Sequence, residues 1–153
     1  MALTKVQSEM VGGGPAFYAY GTNSQSGLSS GSTTKVTFNT TVFDTASAFN
    51  TSTSRFVPQV AGYYQLNYTT YVTGNLSQIQ INLYKNGSQS TGQSYMATTM
   101  SSGAIVSAST IIYMNGSTDY VEVYLYAATA SGTFTIQAAQ ANTFFNGALV
   151  RTA

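Results

Sequence analysis

Few residues in this chain could do chemistry, and their types exclude most catalytic sites. The 153-residue sequence contains no histidine and no cysteine, which excludes serine–histidine, cysteine–histidine and zinc–histidine sites. The acids are Glu9, Asp44, Asp119 and Glu122. A paired-carboxylate hydrolase needs two acids that converge at a suitable separation. Asp119 and Glu122 lie three residues apart in a predicted strand and point to opposite faces, so we interpret them as a turn residue and a solvated strand residue.

A glycine run and scattered cations are the other candidates for ligand binding. Glycines 12–14 are followed by Pro15 and not by the Lys-Ser/Thr of a phosphate loop, so we interpret them as a hinge. The five Lys and Arg residues lie far apart, whereas nucleic acids and anionic membranes require clustered cations. We therefore expect no enzyme activity, no cofactor, no metal, no nucleic acid and no membrane partner.

The elements that must position these residues are predicted to be β-strands. Only 6% of the chain is charged while 13% is aromatic, and Ser, Thr, Asn, Gln, Tyr and Gly favour strands and turns over helices. Short alternating runs begin with AFYAY at 16–20 and KVTFNTTVF at 35–43. Eight to ten such strands without a fixed repeat predict an all-β, antiparallel jelly-roll sandwich and no helix.

Alternation along these runs predicts which side chains form the core. In VAGYYQLNYTTYV, residues 60–72, one set of side chains is predicted to face the interior: Tyr64, Leu66, Tyr68, Thr70 and Val72. The alternate set is predicted to face outward: Tyr63, Gln65, Asn67, Thr69 and Tyr71. The same pattern places Ile79, Ile81, Leu83, Val121, Val123 and Leu125 inward and Tyr120, Glu122, Tyr124 and Tyr126 outward. Asn86-Gly87 predicts a hairpin turn and Asn115-Gly116 a second turn.

The chain divides into two predicted parts. Residues 1–15 have weak periodicity and end in the glycine hinge, so we interpret them as an N-terminal arm. Residues 16–153 form the jelly-roll domain, in which the Ser- and Gly-rich stretches 21–34 and 89–102 are predicted to be exposed loops.

The order of these motifs resembles the globular head of complement C1q and its tumour-necrosis-factor-like relatives. That family has a KVxFN strand, a Phe-containing strand, a PGxYxFxY strand, an LxKNG hairpin and a terminal FxGxL. The matching residues are Val36, Phe38 and Asn39, then Phe56, then Gly62, Tyr64, Leu66 and Tyr68, then Leu83, Lys85, Asn86 and Gly87, and finally Phe145, Gly147 and Leu149. Ala61 replaces the usual proline, and the calcium-binding acids of some members have no equivalent.

The resemblance implies a jelly roll of about ten strands that associates as a tight three-fold homotrimer. The outward tyrosines are then candidates for the trimer or assembly interface, because interface cores favour tyrosine and are depleted in charge. These candidates are Tyr63, Tyr71, Tyr120, Tyr124 and Tyr126.

A low-charge trimer without a signal-peptide-like segment fits a virion component made in a host cytoplasm. The opening MALTKVQSEMVGGG also resembles the starts of tailed-bacteriophage structural proteins. We therefore hypothesise a capsid decoration (cement) protein on the outer surface of the virion that binds itself and the major capsid protein or another virion protein. Arm residues Leu3, Lys5, Val6, Glu9 and Met10 are the candidates for contact with the shell.

Two other classes of function stay open. The same fold could be the receptor-binding tip of a tail or head fibre that recognises a host surface glycan, through the predicted loops 21–34 and 89–102 and through outward tyrosines. A glycan hydrolase is the third class, and depolymerase activity that is lost on mutation of an acid would reveal it. Binding to empty capsids or to host cells separates the first two.

Overall fold

The computed structural model describes residues 13–97 and 99–153, in which all regular structure is β-strand. The strands are β1 (Ala16–Tyr20), β2 (Gln25–Leu28), β3 (Ser32–Lys35), β4 (Thr40–Asp44), β5 (Phe49–Asn50), β6 (Arg55–Phe56), β7 (Gly62–Lys85), β8 (Ser88–Met96), β9 (Ala104–Met114), β10 (Val121–Gln137) and β11 (Phe144–Thr152). No helix that could cross a membrane occurs in the described residues. The predicted all-β antiparallel jelly roll is confirmed.

Two packed sheets make up the sandwich. In the first sheet the order is β4, β1, β11, the first half of β7, and β9. In the second sheet β10 pairs with the second half of β7 on one side and with β2, β3 and β6 on the other, and β8 pairs with β7. Every strand pair in the described residues is antiparallel, as is typical of a jelly-roll sandwich.

Strand β7 is long enough to belong to both sheets. Its residues 62–72 pair with β9, whereas residues 71–85 pair with β10. Between the two halves Gly74 has a φ of +144°, a conformation that favours glycine, and the partner strand β10 has three register shifts opposite this segment. The bend and the bulges let one strand turn from one layer into the other.

The inward side chains predicted from the alternation form the core. Tyr64, Leu66 and Tyr68 are fully buried, as are Val72, Ile79, Ile81, Leu83, Val121, Val123 and Leu125. An aromatic cluster fills one end, where the Phe17 ring stacks on Phe56 at 4.3 Å between centroids and meets Phe145 edge-on at 5.0 Å. Such pairs add to the free energy gained by burying their area.

The sequence prediction of strands was wrong in three segments. The predicted strand 35–43 is broken, because β3 ends at Lys35 and β4 begins at Thr40. Between them Val36 and Phe38 are buried, and the Phe38 amide donates to Ser54 Oγ at 2.9 Å. The predicted loop 21–34 contains β2 and β3, and the predicted loop 89–102 contains most of β8. Ser, Thr and Gly suit loops, but here neighbouring strands satisfy their backbone groups.

The two Asn-Gly turns have different roles. Asn86 and Gly87 have φ values of 52° and 80° and connect β7 to β8, which confirms the predicted hairpin turn. The second turn leads from β9 in the first sheet to β10 in the second, so it crosses between sheets. There Asn115 Oδ1 accepts hydrogen bonds from the amides of Ser117, Thr118 and Asp119, each at 3.0 Å.

Candidate functional site

The outward side of the first sheet, which we call the first face, is a continuous surface across five strands. Register places Phe43, Tyr18, Asn146, Asn67 and Ser109 in one row from β4 to β9. The next row runs Ala16, Ala148, Gln65 and Ile111. At one end of these strands Tyr63 pairs with Tyr113, and at the other end Tyr71 pairs with Ile105. The first face therefore presents apolar and amide side chains, and Arg151 stands at one margin opposite Tyr63.

Exposed apolar side chains concentrate on the first face. Ile111 is 56% exposed, Ile105 49%, and Phe43, Tyr63 and Tyr113 are each above 40%. The Tyr63 and Tyr113 rings lie 5.5 Å apart at one end. Several large exposed apolar side chains on one side of a sheet make that side a candidate interaction surface.

Amides occupy the centre of the first face. Asn67 Nδ2 donates to Asn146 Oδ1 at 3.0 Å, and Gln65 Nε2 donates to Asn67 Oδ1 at 3.3 Å. These residues, with Tyr18 and Phe43, line a shallow depression of about 340 Å³. A hydrogen-bonded amide row between apolar ends resembles the arrangement of protein interfaces, in which a few polar groups set the register of apolar surfaces.

A buried ion cluster lies at one margin of the second sheet. The Glu122 side chain is only 2% exposed, and its Oε1 accepts from Lys35 Nζ at 2.9 Å and from Arg55 Nε at 2.8 Å. The Arg55 guanidinium also lies 4.2 Å from the centroid of the Tyr120 ring. Glu122 was predicted to be solvated, which is wrong: it does face outward from the sheet, but two cations from distant segments cover it.

Opposing effects set the pKa of Glu122. Burial raises it by penalising the charged form, but the hydrogen bonds from Arg55 and Lys35 and their charges outweigh burial, so the pKa lies below its ordinary value. Glu122 therefore stays ionised as the counter-ion of Arg55 and Lys35. Its geometry is that of a structural ion cluster, because both nearby cations are bound to the carboxylate.

Asp119 forms a second ion pair, which ties the two Asn-Gly turns together. Its Oδ2 accepts from Lys85 Nζ at 2.7 Å and from the Asn115 amide at 3.0 Å, while Oδ1 accepts from Asn86 Nδ2 at 2.7 Å. Burial raises the pKa of Asp119, yet these hydrogen bonds lower it further, and the net pKa is below the ordinary value. Asp119 is thus a buried turn residue, and its partners differ from those of Glu122.

The C1q domain model matches residues 16–150 of the sequence. The chain belongs to the C1q domain family. This match confirms the resemblance read from the motif order. None of the curated protein sequences matches the chain.

Solved structures share the fold of this C1q domain at low sequence identity. The globular domain of a zebrafish complement 1qA protein superposes with a TM-score of 0.65 at 18% identity, covering 92% of this chain and 99% of that one. Murine APRIL, in a crystal structure at pH 5.0, gives a TM-score of 0.70 at 9% identity over 90% of this chain and 99% of APRIL. These likenesses establish a fold shared by C1q and tumour-necrosis-factor-like proteins.

The five candidate interface tyrosines of this C1q domain do not share one surface. Tyr63 and Tyr71 lie on the first face, whereas Tyr124 and Tyr126 face outward from the second sheet, where their partners in β7 are Asn82 and Gln80. Tyr120 lies before β10 beneath Arg55. The five candidates for contact with the shell, at positions 3, 5, 6, 9 and 10, lie outside the described residues, and the division of the chain at Ala16 stays a prediction.

Sequence reasoning missed the residues that make the first face apolar. Phe43, Ile105, Ile111 and Tyr113 were not among the candidates, although they are more exposed than most apolar side chains. A signal was present in β9, because Ile111, Ile112, Tyr113 and Met114 are apolar at both odd and even positions. A strand that is apolar on both faces predicts a covered outer side.

Proposed function

We propose that this C1q domain is a homotrimeric virion structural protein and that it decorates the capsid of a tailed bacteriophage. The observation that carries the proposal is the first face, with its exposed apolar ends, amide centre and low charge. A second and third copy of the chain would cover this face, in keeping with the trimer that the family resemblance implies. The protein would then act as a binding and structural module and not as an enzyme.

A three-fold arrangement gives the amide centre a role. Buried amides cost free energy unless they are paired, so they favour one register in which partners meet. Gln65, Asn67 and Asn146 already form a chain of hydrogen bonds within one copy, and their remaining donors and acceptors would meet those of the other copies. The apolar ends, from Ile105 and Ile111 to Tyr63 and Tyr113, would supply the area that drives association.

The virion context is supported by the sequence outside the trimer face. The opening MALTKV resembles tailed-phage structural proteins, and residues 1–15 are the predicted N-terminal arm. A decoration protein needs such a segment, or a free surface, to contact the shell. The chain also has few charges for steering in solution, which suits a protein held in place by neighbours.

Light scattering and capsid binding test the proposal. We expect the wild-type mass to be that of a trimer, and the trimer to bind capsids prepared from a phage mutant that lacks this protein. Ile111→Asp, which places a charge in the apolar end of the first face, should give a monomer. Ser26→Asp in exposed β2 is the matched control and should stay trimeric. A wild-type monomer would overturn the trimer, and a trimer that binds host cells but not capsids would point to the receptor-binding tip.

A further inference from the structure

The outward side of the second sheet carries a lattice of tyrosines and amides, which we call the tyrosine–amide face. Register across β3, β10, β7 and β8 places Thr33, Tyr126, Gln80 and Tyr95 in one row. The next row is Lys35, Tyr124, Asn82 and Gln93, and the third is Glu122, Tyr84 and Gln89. The tyrosines of β10 therefore lie beside amides of β7 and β8, and Tyr95 and Tyr84 stand at opposite ends of the amide group.

Four amides of this face form a closed ring of hydrogen bonds. Gln80 Nε2 donates to Asn82 Oδ1 at 2.9 Å and to Gln93 Oε1 at 3.0 Å. Gln89 Nε2 donates to the same two oxygens, at 3.1 Å and 2.9 Å. The ring fixes four side chains from two strands, so a ligand that binds them loses little additional side-chain entropy.

The ring leaves a defined set of donors and acceptors for a ligand. Within it, Gln80 and Gln89 use both N–H donors, and Asn82 and Gln93 use both lone pairs of their oxygens. The carbonyl oxygens of Gln80 and Gln89 and the amino group of Gln93 stay available to a ligand, whereas Asn82 is only 3% exposed and its amino group is largely covered. Gln89 and Gln93 are exposed and Gln80 is half-buried, so a ligand can reach these three side chains.

Tyrosine rings border the amides on several sides. The Tyr84 and Tyr124 rings lie 4.2 Å apart at a 38° tilt. Tyr126 and Tyr95 flank Gln80 on opposite strands, and Tyr95 is 56% exposed. Adjacent strands are about 4.8 Å apart, so aromatic surface and amide hydrogen-bonding groups recur at a spacing comparable to one sugar ring.

The charges near this face exclude an ionic ligand. Strands β8 and β10 carry one charged residue between them, Glu122, and both cations beside it bind its carboxylate. An apolar protein surface is also a poor fit, because each free amide atom that it covered without pairing would cost about 1–3 kcal/mol. A carbohydrate offers hydroxyls that both donate and accept, together with C–H faces that pack on aromatic rings.

We infer that the tyrosine–amide face binds an uncharged polysaccharide. The amide ring would bind pairs of hydroxyls, and the tyrosines would pack against sugar faces. This site goes beyond the proposed capsid role and is independent of it, because it lies on the sheet opposite the first face. The sequence prediction of a glycan surface named loops 21–34 and 89–102 and outward tyrosines; the inferred site uses outward tyrosines and the part of 89–102 that forms β8, and it uses no residue of 21–32. In a trimer, three such sites would strengthen binding to a long chain by multivalency.

Affinity electrophoresis of the full-length protein tests the site. The probes are gels that contain dextran, amylose, mixed-linkage β-glucan, mannan, galactan or xylan, with alginate as an acidic polysaccharide. We expect at least one uncharged polymer to retard the wild type and alginate to leave it unaffected. Retardation by none of the uncharged polymers, or by alginate alone, would overturn the inference.

Variants then locate the site. Tyr95→Ala and Gln93→Ala alter exposed side chains, so folding should be preserved, and each should weaken binding about tenfold, equivalent to about 1.4 kcal/mol. Gln59→Ala is the matched control, since exposed Gln59 donates only to Val57 O in its own loop. If both site variants bind as tightly as the control, the polysaccharide lies elsewhere. Light scattering of the same samples reports the trimer, so failure of either proposal is seen separately.

Discussion

On the first sheet the outward side chains are apolar at the ends and amides in the centre, whereas on the second sheet a row of tyrosines lies beside a cluster of amides. The first face exposes Ile105, Ile111 and Tyr113 in one strand. The tyrosine–amide face has half-buried Tyr84, Tyr124 and Tyr126, with the ion cluster of Glu122 at its margin. One strand, β7, contributes to both faces.

From this difference we expect the two faces to suit two kinds of partner. Apolar side chains that are exposed in a single copy suit a permanent partner, because burying them lowers the free energy of association. Amides that are already fixed to each other and bordered by aromatic rings suit a hydrated ligand. The low charge of the chain suits both faces, because neither an apolar interface nor an uncharged ligand requires charged side chains.

The largest effect should come from the core that both faces share. Leu66→Ala empties a fully buried site and should lower the free energy of unfolding by about 2–5 kcal/mol, and Tyr64→Ala should have an effect in the same range. Chemical denaturation followed by fluorescence measures the loss. Leu66→Met, which keeps the volume, should cost less than about 1.5 kcal/mol. Equal stability of Leu66→Ala and wild type would show that the alternation does not separate core from face.

Glu122→Gln should affect the second sheet more than the first. Loss of the carboxylate leaves Lys35 and Arg55 without their counter-ion, but their side chains are 31% and 38% exposed and regain water. We therefore expect a loss of about 1–3 kcal/mol, measured by chemical denaturation at neutral pH. Polysaccharide binding should weaken while the trimer mass stays constant.

Acid provides an independent check on the same cluster. The pKa values of Glu122 and Asp119 are lowered in the folded state, so their contribution to stability is complete above the ordinary pKa of about 4 and is lost as the pH falls through the folded values. The free energy of unfolding should be flat from about pH 7 to about pH 5 and should decrease below about pH 4. Glu122→Gln should have a shallower decrease, and an unchanged slope would contradict the assignment.

Asn86→Ala should have a smaller and more local effect. Asn86 has a φ of 52°, a conformation that costs most residues about 1–2 kcal/mol, and its side chain bonds Asp119 and the Tyr120 amide. The turn begins β8, which carries Gln89 and Gln93. We expect a stability loss of about 1–2 kcal/mol and weaker polysaccharide binding with no change in trimer mass. Loss of the trimer would mean that the two faces are not separable.

The smallest effect should be that of salt. The described part of the chain has three salt bridges, and none of them joins residues of the first face. Raising NaCl from about 0.05 M to about 1 M, which shortens the Debye length to about 3 Å, should leave the trimer mass unchanged. Dissociation in high salt would show that charge, and not apolar area, holds the first face together.

Period-2 patterns were sufficient to predict the inside of the sandwich. Tyr64, Leu66 and Tyr68 are buried as the alternation predicts, because neighbouring side chains of a strand point to opposite faces. Asn86-Gly87 also forms the predicted turn, since both residues tolerate positive φ. These features depend on residues that are close in sequence.

Features that depend on distant strands could not be predicted in the same way. Alternation predicts that Tyr63 and Tyr124 face outward. It does not predict that they belong to different sheets, because the sheet to which a strand belongs depends on which strands pair with it. Likewise, Glu122 meets Lys35, 87 residues away, and Arg55, 67 residues away. The amide ring depends on the register between β7 and β8, and β8 lies in a segment whose Ser, Gly and Gln content is typical of a loop.

The place of β11 in the first sheet has a consequence for synthesis. The strand lies between β1 and β7, so residues 144–152 complete hydrogen bonds for strands that begin at Ala16 and Gly62. A nascent chain that has not released this segment from the ribosome leaves both strands with open edges, and pairing across such sequence distances is slow. The first sheet can therefore be completed only after residues 144–152 have left the ribosome, and a chain terminated before them would lack a complete first face through which to join other copies.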